Sequence, residues 1–138
     1  MTDLITALLL WLAANSPYGL VTTQPNIVMV EPYQLCQRYG MADGGRCDAV
    51  KVMGLYNKGY TIYLRHDFDP ADVEDRARLL HELVHWVQWS HNHNEVNDCM
   101  GALEVEAYRL QDRWRARYGL PPKRDAFTML MLEVSCSA

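Results

Sequence analysis

No Cys-x-x-Cys pair occurs in the 138 residues, which argues against a four-cysteine zinc knuckle or a thioredoxin-like redox site. An excess of positive charge is also missing. The net charge is −4, so wholesale attraction to nucleic acid is not expected. The stripe Arg109, Arg113 and Arg117, with Asp112 beside it, reads as a solvated helix face. There is no internal repeat and no low-complexity tract. The one long apolar stretch, Leu4 to Ala14, is too short to span a membrane. It has Asp3 and no Lys or Arg ahead of it, and no small-x-small site followed by an obvious mature start, so a structural helix is expected rather than a secretory leader.

What remains is the composition of one soluble α+β domain over residues 1–138, with 49% apolar and 22% charged residues. A first helix is expected from Thr2 to Ala14, ended by the breakers Asn15-Ser16-Pro17-Tyr18-Gly19. Asn26 to Val30 reads as a strand, Pro32 to Tyr39 as a short helix and Gly40 to Gly45 as a loop. Val50 to Tyr56 and Tyr60 to Leu64, joined by Asn57-Lys58-Gly59, read as a hairpin. A long helix is expected from Pro70 to His91, with Asp69 as N-cap and Asp72, Glu74 and Asp75 at its positive end. A second should run from Cys99 to Tyr118, closed by Gly119 and Pro121-Pro122, and a short one from Ala126 to Val134.

The chemistry concentrates in His81-Glu82-Leu83-Val84-His85. Two histidines four apart on a helix project from one face, one turn from each other, as two ligands of a tetrahedral zinc ion must. Glu82 is offset by about 100° from His81, placed to serve a metal-activated water as general base rather than to bind the metal. On the same wheel Leu79, Leu80, Leu83, Val84 and Val87 form an apolar stripe, while His81, His85 and Gln88 lie opposite it. Trp86 and Trp89 flank that polar face and suggest that it is covered.

A zinc site needs a third ligand. His91 follows His85 by six residues, but Gln88 stands where a chain-reversing glycine would be needed, and a continuing helix turns His91 away. Glu104 and Glu106 both lie near the Leu103, Ala107, Leu110, Trp114 stripe of the second helix, and the wheel does not decide between them.

HELVH followed after eighteen residues by Glu104, with Ala107 three places further on, resembles the gluzincin branch of zincin-like metallopeptidases. The chain also resembles small bacterial zincin-like proteins, through a leading Leu/Trp helix, Thr61 to Leu64 (TIYL), His81 to Gln88 (HELVHxxQ), Ala107 to Trp114 (AYxxQxRW) and Cys136. That likeness covers most of the chain and brings no substrate with it. The resemblance implies a minimal zincin-like fold: an N-terminal helix, a small sheet of about three strands, and an HExxH helix followed by a second long helix carrying the Glu ligand. It implies Zn2+ held by His81, His85 and Glu104, with Tyr60 to Leu64 as the sheet edge against which a peptide pairs. Tyr108 stands where an Asp or Asn that hydrogen-bonds the first His is commoner.

The activity expected is hydrolysis of peptide bonds in a peptide or protein substrate. Glu82 moves the proton, and Tyr108, His66 or His93 supplies a second donor for the oxyanion. Two other readings are a catalytically silent zincin-fold module that binds metal or a partner, and a hydrolase of non-peptide amides. Of the three pairings open to four cysteines, Cys36–Cys47 with Cys99–Cys136 is the most natural; the sequence does not separate bonded from free cysteines, and bonded ones would imply export. Four free thiols would imply the cytosol.

Overall fold

A computed structural model describes residues 1–32, 34, 51–56 and 60–136. Helix α1 (Thr2–Asn15) buries Ile5, Leu8, Leu9 and Leu12, an i, i+3, i+4, i+7 stripe, and the amide of Asn15 folds back on the Trp11 carbonyl at 2.9 Å. Strand β1 (Asn26–Val30) lies parallel to β3 (Tyr60–Arg65), and β2 (Val52–Tyr56) lies antiparallel to it, giving the order β1-β3-β2. The two strands of the expected hairpin therefore pair, and its expected connection, Asn57-Lys58-Gly59, lies outside the described residues. The expected short helix at 32–39, the loop at 40–45 and the Cys36–Cys47 pair fall almost wholly outside the described residues.

The middle strand is the correction that matters most for function. Tyr60 to Leu64 is no sheet edge, because β3 has a hydrogen-bonded neighbour on both sides. Its five residues from Tyr60 to Leu64 are all buried, as expected of a near-continuous apolar run that packs on both faces. Among the described residues, the edge on the hairpin side is β2.

Helix α2 (Val73–Ser90) carries HELVH. It begins three residues later than Asp69-Pro70 suggests. Asp72 is the N-cap and accepts from the Asp75 amide at 3.0 Å, while Asp69 accepts from Ala71 at 2.9 Å and closes a turn ahead of the helix. Asp75, 1% exposed, fixes this entry by accepting from the Asp69 amide at 2.9 Å, Arg78 at 2.6 Å and Lys51 at 3.3 Å. Leu79, Leu80, Leu83, Val84 and Val87, the predicted apolar stripe, form the centre of the core with Ile62 and Leu64 of β3 and the α1 leucines. The helix stops where Asn92 takes the left-handed conformation, φ 62°, and the Gln88 carbonyl accepts from both His91 and His93.

Helix α3 (Met100–Ala116) packs along α2 through Ala107, Leu110 and Trp114. It ends three residues before Gly119, whose φ of 72° turns the chain into Pro121-Pro122. Helix α4 (Ala126–Val134) has Asp125 as N-cap and buries none of its residues. It is fixed to the start of α3 by the disulfide Cys99–Cys136 and to the middle of α3 by the Arg109–Glu133 ion pair. Gly101 permits that crossing, since a Cβ there would lie 3.0 Å from the Cys136 sulfur and closer still to the Leu132 carbonyl. No described helix is long and apolar enough to cross a membrane.

Candidate metal centre

Burial of the α2 stripe turns the opposite side of the helix toward α3, and there His81, His85 and Glu104 converge. One donor atom from each lies within 4.8 Å of the other two. Glu104 Oε1 is 3.6 Å from His81 Nε2 and is bonded to His85 Nε2. The imidazole rings stand edge to face, with centroids 4.9 Å apart. His91, the rival third ligand, is elsewhere: its Nδ1 donates to the Val87 carbonyl at 2.8 Å and its ring lies 5.1 Å from that of Tyr18.

The two Nε2 atoms face Glu104 because both Nδ1 atoms are engaged by glutamine. His81 Nδ1 meets Gln111 Oε1 at 3.0 Å and His85 Nδ1 meets Gln88 Oε1 at 2.8 Å. The orientation of Gln88 follows from its other end. Its Nε2 donates to the Leu103 carbonyl at 3.0 Å, an oxygen that can only accept, and to Glu106 at 2.9 Å. Its own oxygen therefore faces His85, the proton sits on Nδ1, and Nε2 is directed into the cluster. Glu106 also accepts from the Tyr18 hydroxyl. The two glutamates that the helical wheel left undecided thus divide: Glu104 enters the cluster, and Glu106 buttresses the amide that orients His85.

Glu82 lies on the sheet side of the pair. Tyr60 donates to its Oε2 at 3.4 Å, and the Tyr60 ring packs 6.0 Å from Trp86, which stacks on Trp89 at 5.4 Å. The tryptophans thus stand beside Tyr60, while α3 covers the histidines. Edge strand β2 passes here through Gly54, where a Cβ would lie 2.7 Å from Glu82 Oε2 and nearer to the Tyr60 hydroxyl. Neither Gly54 nor Tyr60 was among the residues singled out in the sequence. A glycine interrupting the run Val52-Met53-Gly54-Leu55-Tyr56 is nevertheless the usual sign of a close approach.

The three proposed second donors separate in space. Tyr108 packs its half-buried ring 4.5 Å from His81 and carries the Arg124 guanidinium at 5.1 Å on the ring. The hydrogen bond to His81 expected of this position comes instead from Gln111, three residues further along the helix. His66 pairs with Glu31 at 3.3 Å at the far end of β3, and His93 pairs with Asp98 at 3.2 Å beyond the end of α2.

Burial opposes the charge on His85, but the hydrogen bond to Glu104 and the charges of Glu82 and Glu104 outweigh it and raise its pKa to about 9. Burial likewise opposes the Glu104 charge, and the hydrogen bonds from His81 and His85 overcome it, holding the carboxyl well below its usual range. Burial lifts Tyr108 above its ordinary value, against the Arg124 hydrogen bond, so its hydroxyl keeps its proton. Two neutral-capable imidazoles and one carboxylate, with Nε2 directed inward, are a donor set that suits zinc. It is the one such cluster among the described residues.

No curated protein and no solved structure matches the chain. A family profile described as a domain of unknown function, DUF6647, matches residues 1–138, and the chain belongs to that family.

Proposed function

We propose that the protein is a zincin-like metallopeptidase of gluzincin type that hydrolyses peptide bonds, with Zn2+ held by His81, His85 and Glu104. The observation that carries this reading is the convergence of the two Nε2 atoms and one Glu104 oxygen, each imidazole fixed from behind by a glutamine. A zinc ion supplies Lewis-acid activation of water, bringing its pKa to roughly 7, and polarisation of a carbonyl.

The chain's own groups account for the rest. Glu82 stands beside the ligand pair without joining it. Its carboxylate takes the proton of the attacking water and delivers it to the leaving nitrogen. Tyr60, donating to Glu82 Oε2, limits where that carboxylate can point. Tyr108, kept protonated beside His81, has a hydroxyl to donate to the oxyanion. Gln88 and Gln111 hold the imidazole orientations through the cycle. Edge strand β2, with Gly54 opposite Glu82, is where an extended peptide pairs, a role that the interior position of β3 denies to Tyr60 to Leu64.

The test is cleavage of an unbiased peptide library by zinc-loaded wild type and Glu82→Gln. The amide cannot accept the proton, so cleavage should fall about 10²- to 10⁴-fold while zinc content and Tm stay at the wild-type values. Equal cleavage by the two proteins contradicts the mechanism. No cleavage by wild type favours the silent binding module.

A further inference from the structure

The loop between α3 and α4 returns to the site. Arg124, exposed, lays its guanidinium 5.1 Å from the centre of the Tyr108 ring, and that ring lies 4.5 Å from His81. The guanidinium is therefore within about 10 Å of the His81 ring, the span of roughly three extended residues. Cations gather around it: burial first, and then the Arg78 charge, hold Lys123 below its usual range, with Arg115 and Arg124 contributing. Most have acidic partners. Arg78 pairs with Asp75, Arg115 pairs with Glu74, and the neighbouring Asp125 carboxylate caps α4 by accepting from Thr128 at 2.7 Å. Among the described residues, Arg124 has no carboxylate partner. Its guanidinium lies over the Tyr108 ring, hydrogen-bonds the Tyr108 hydroxyl and keeps its remaining donors in an exposed side chain.

We propose that Arg124 is a specificity-determining residue: from the Tyr108 ring it receives a carboxylate of the peptide cleaved at the His81–His85–Glu104 cluster. The proposal rests on the peptidase reading and adds a substrate class to it, peptides bearing a carboxylate within three residues of the scissile carbonyl. Geometry favours a carboxylate over other groups. A guanidinium donates two parallel hydrogen bonds to its two oxygens, and the contacts of Arg124 with Tyr108 pre-order the fork at low entropic cost. A free C-terminus and an acidic side chain both present this group, and the experiment separates them.

The probes are one hexapeptide of alanine and phenylalanine as the free acid, the same peptide as the C-terminal amide, and the amide carrying one glutamate. Zinc-loaded wild type, Arg124→Gln and Arg124→Lys are compared for cleavage. Glu82→Gln and the double variant Glu82→Gln/Arg124→Gln are compared for calorimetric binding of the uncleaved peptides. Wild type should prefer a carboxylate-bearing peptide to the neutral amide by about 10- to 100-fold in kcat/KM. Arg124→Gln should abolish that preference, and Arg124→Lys should keep part of it. A preference for the free acid assigns the C-terminal carboxylate, and a preference for the glutamate amide assigns the side chain. Cleavage without an Arg124-dependent preference overturns this inference and leaves the peptidase reading standing. Arg124-dependent binding by Glu82→Gln with no cleavage by wild type does the reverse. Neither binding nor cleavage overturns the inference.

Discussion

Gln88 does the work of two residues. It is fully buried, with its oxygen on His85 and its NH2 group on Leu103 and Glu106. Gln88→Leu has nearly the right volume but leaves three partners unsatisfied, so zinc affinity should fall about 10- to 100-fold and stability by about 1–3 kcal/mol. Competition with a chromophoric chelator and urea unfolding measure the two effects, and unchanged values in both would remove Gln88 from the site. Protons give a second check at this scale. In the metal-free protein His85 is protonated up to about pH 9, so binding zinc at neutral pH must expel that proton. The logarithm of zinc affinity should therefore rise with a contribution of about one per pH unit below 9 and lose that contribution above it. A flat profile between pH 7 and 8.5 would mean that His85 is already neutral or is not a ligand. The pair His81 and His85, with Glu82 between them, was legible from sequence because four-residue spacing alone sets the geometry. The helical wheel did not choose between Glu104 and Glu106; the resemblance, through the eighteen-residue spacing and Ala107, implied Glu104. The place of Glu106 was not legible, because it depends on Tyr18, 88 residues away, reaching it, and no local pattern carries such a contact.

At the level of elements, the periodic segments declared themselves and their ends did not. The α1 and α2 stripes, β1 and the hairpin strands follow the apolar pattern closely. The start of α2 was misplaced because Asp69-Pro70 and Asp72 both satisfy the rules for a cap, and only Asp72 has the Asp75 amide within reach. Asp72→Ala should accordingly lower Tm by several degrees, and Asp69→Ala by less, since the Asp69 backbone amide keeps its bond to Asp75. Equal losses would mean that the cap is shared. The position of β3 inside the sheet was illegible for another reason. Strand order is set by which edge β1 joins, and five residues of similar composition carry no record of that choice. Gly54 follows from the same packing. Gly54→Ala places a methyl against Glu82 and Tyr60, so it should depress peptide cleavage while leaving zinc stoichiometry unchanged. Wild-type cleavage by this variant would show that the two side chains move aside freely.

Over the whole molecule, the core of α1, the sheet, α2 and α3 holds the proposed metal ligands, and α4 is an addition stapled to it. A crosslink over 37 residues, as between Cys99 and Cys136, contributes roughly 4 kcal/mol in the loop-entropy account. Because α4 buries none of its own residues, Cys136→Ser should lose most of that stability and the helicity of α4. Zinc should stay bound, since His81, His85 and Glu104 belong to α2 and α3. The most direct test of the account is the zinc-to-protein ratio, by elemental analysis, of five purified proteins. Wild type, Glu82→Gln and Glu106→Gln should each carry about one zinc per chain, while His81→Ala/His85→Ala and Glu104→Ala should carry almost none. Full occupancy in the double histidine variant, or a larger loss in Glu106→Gln than in Glu104→Ala, would contradict it.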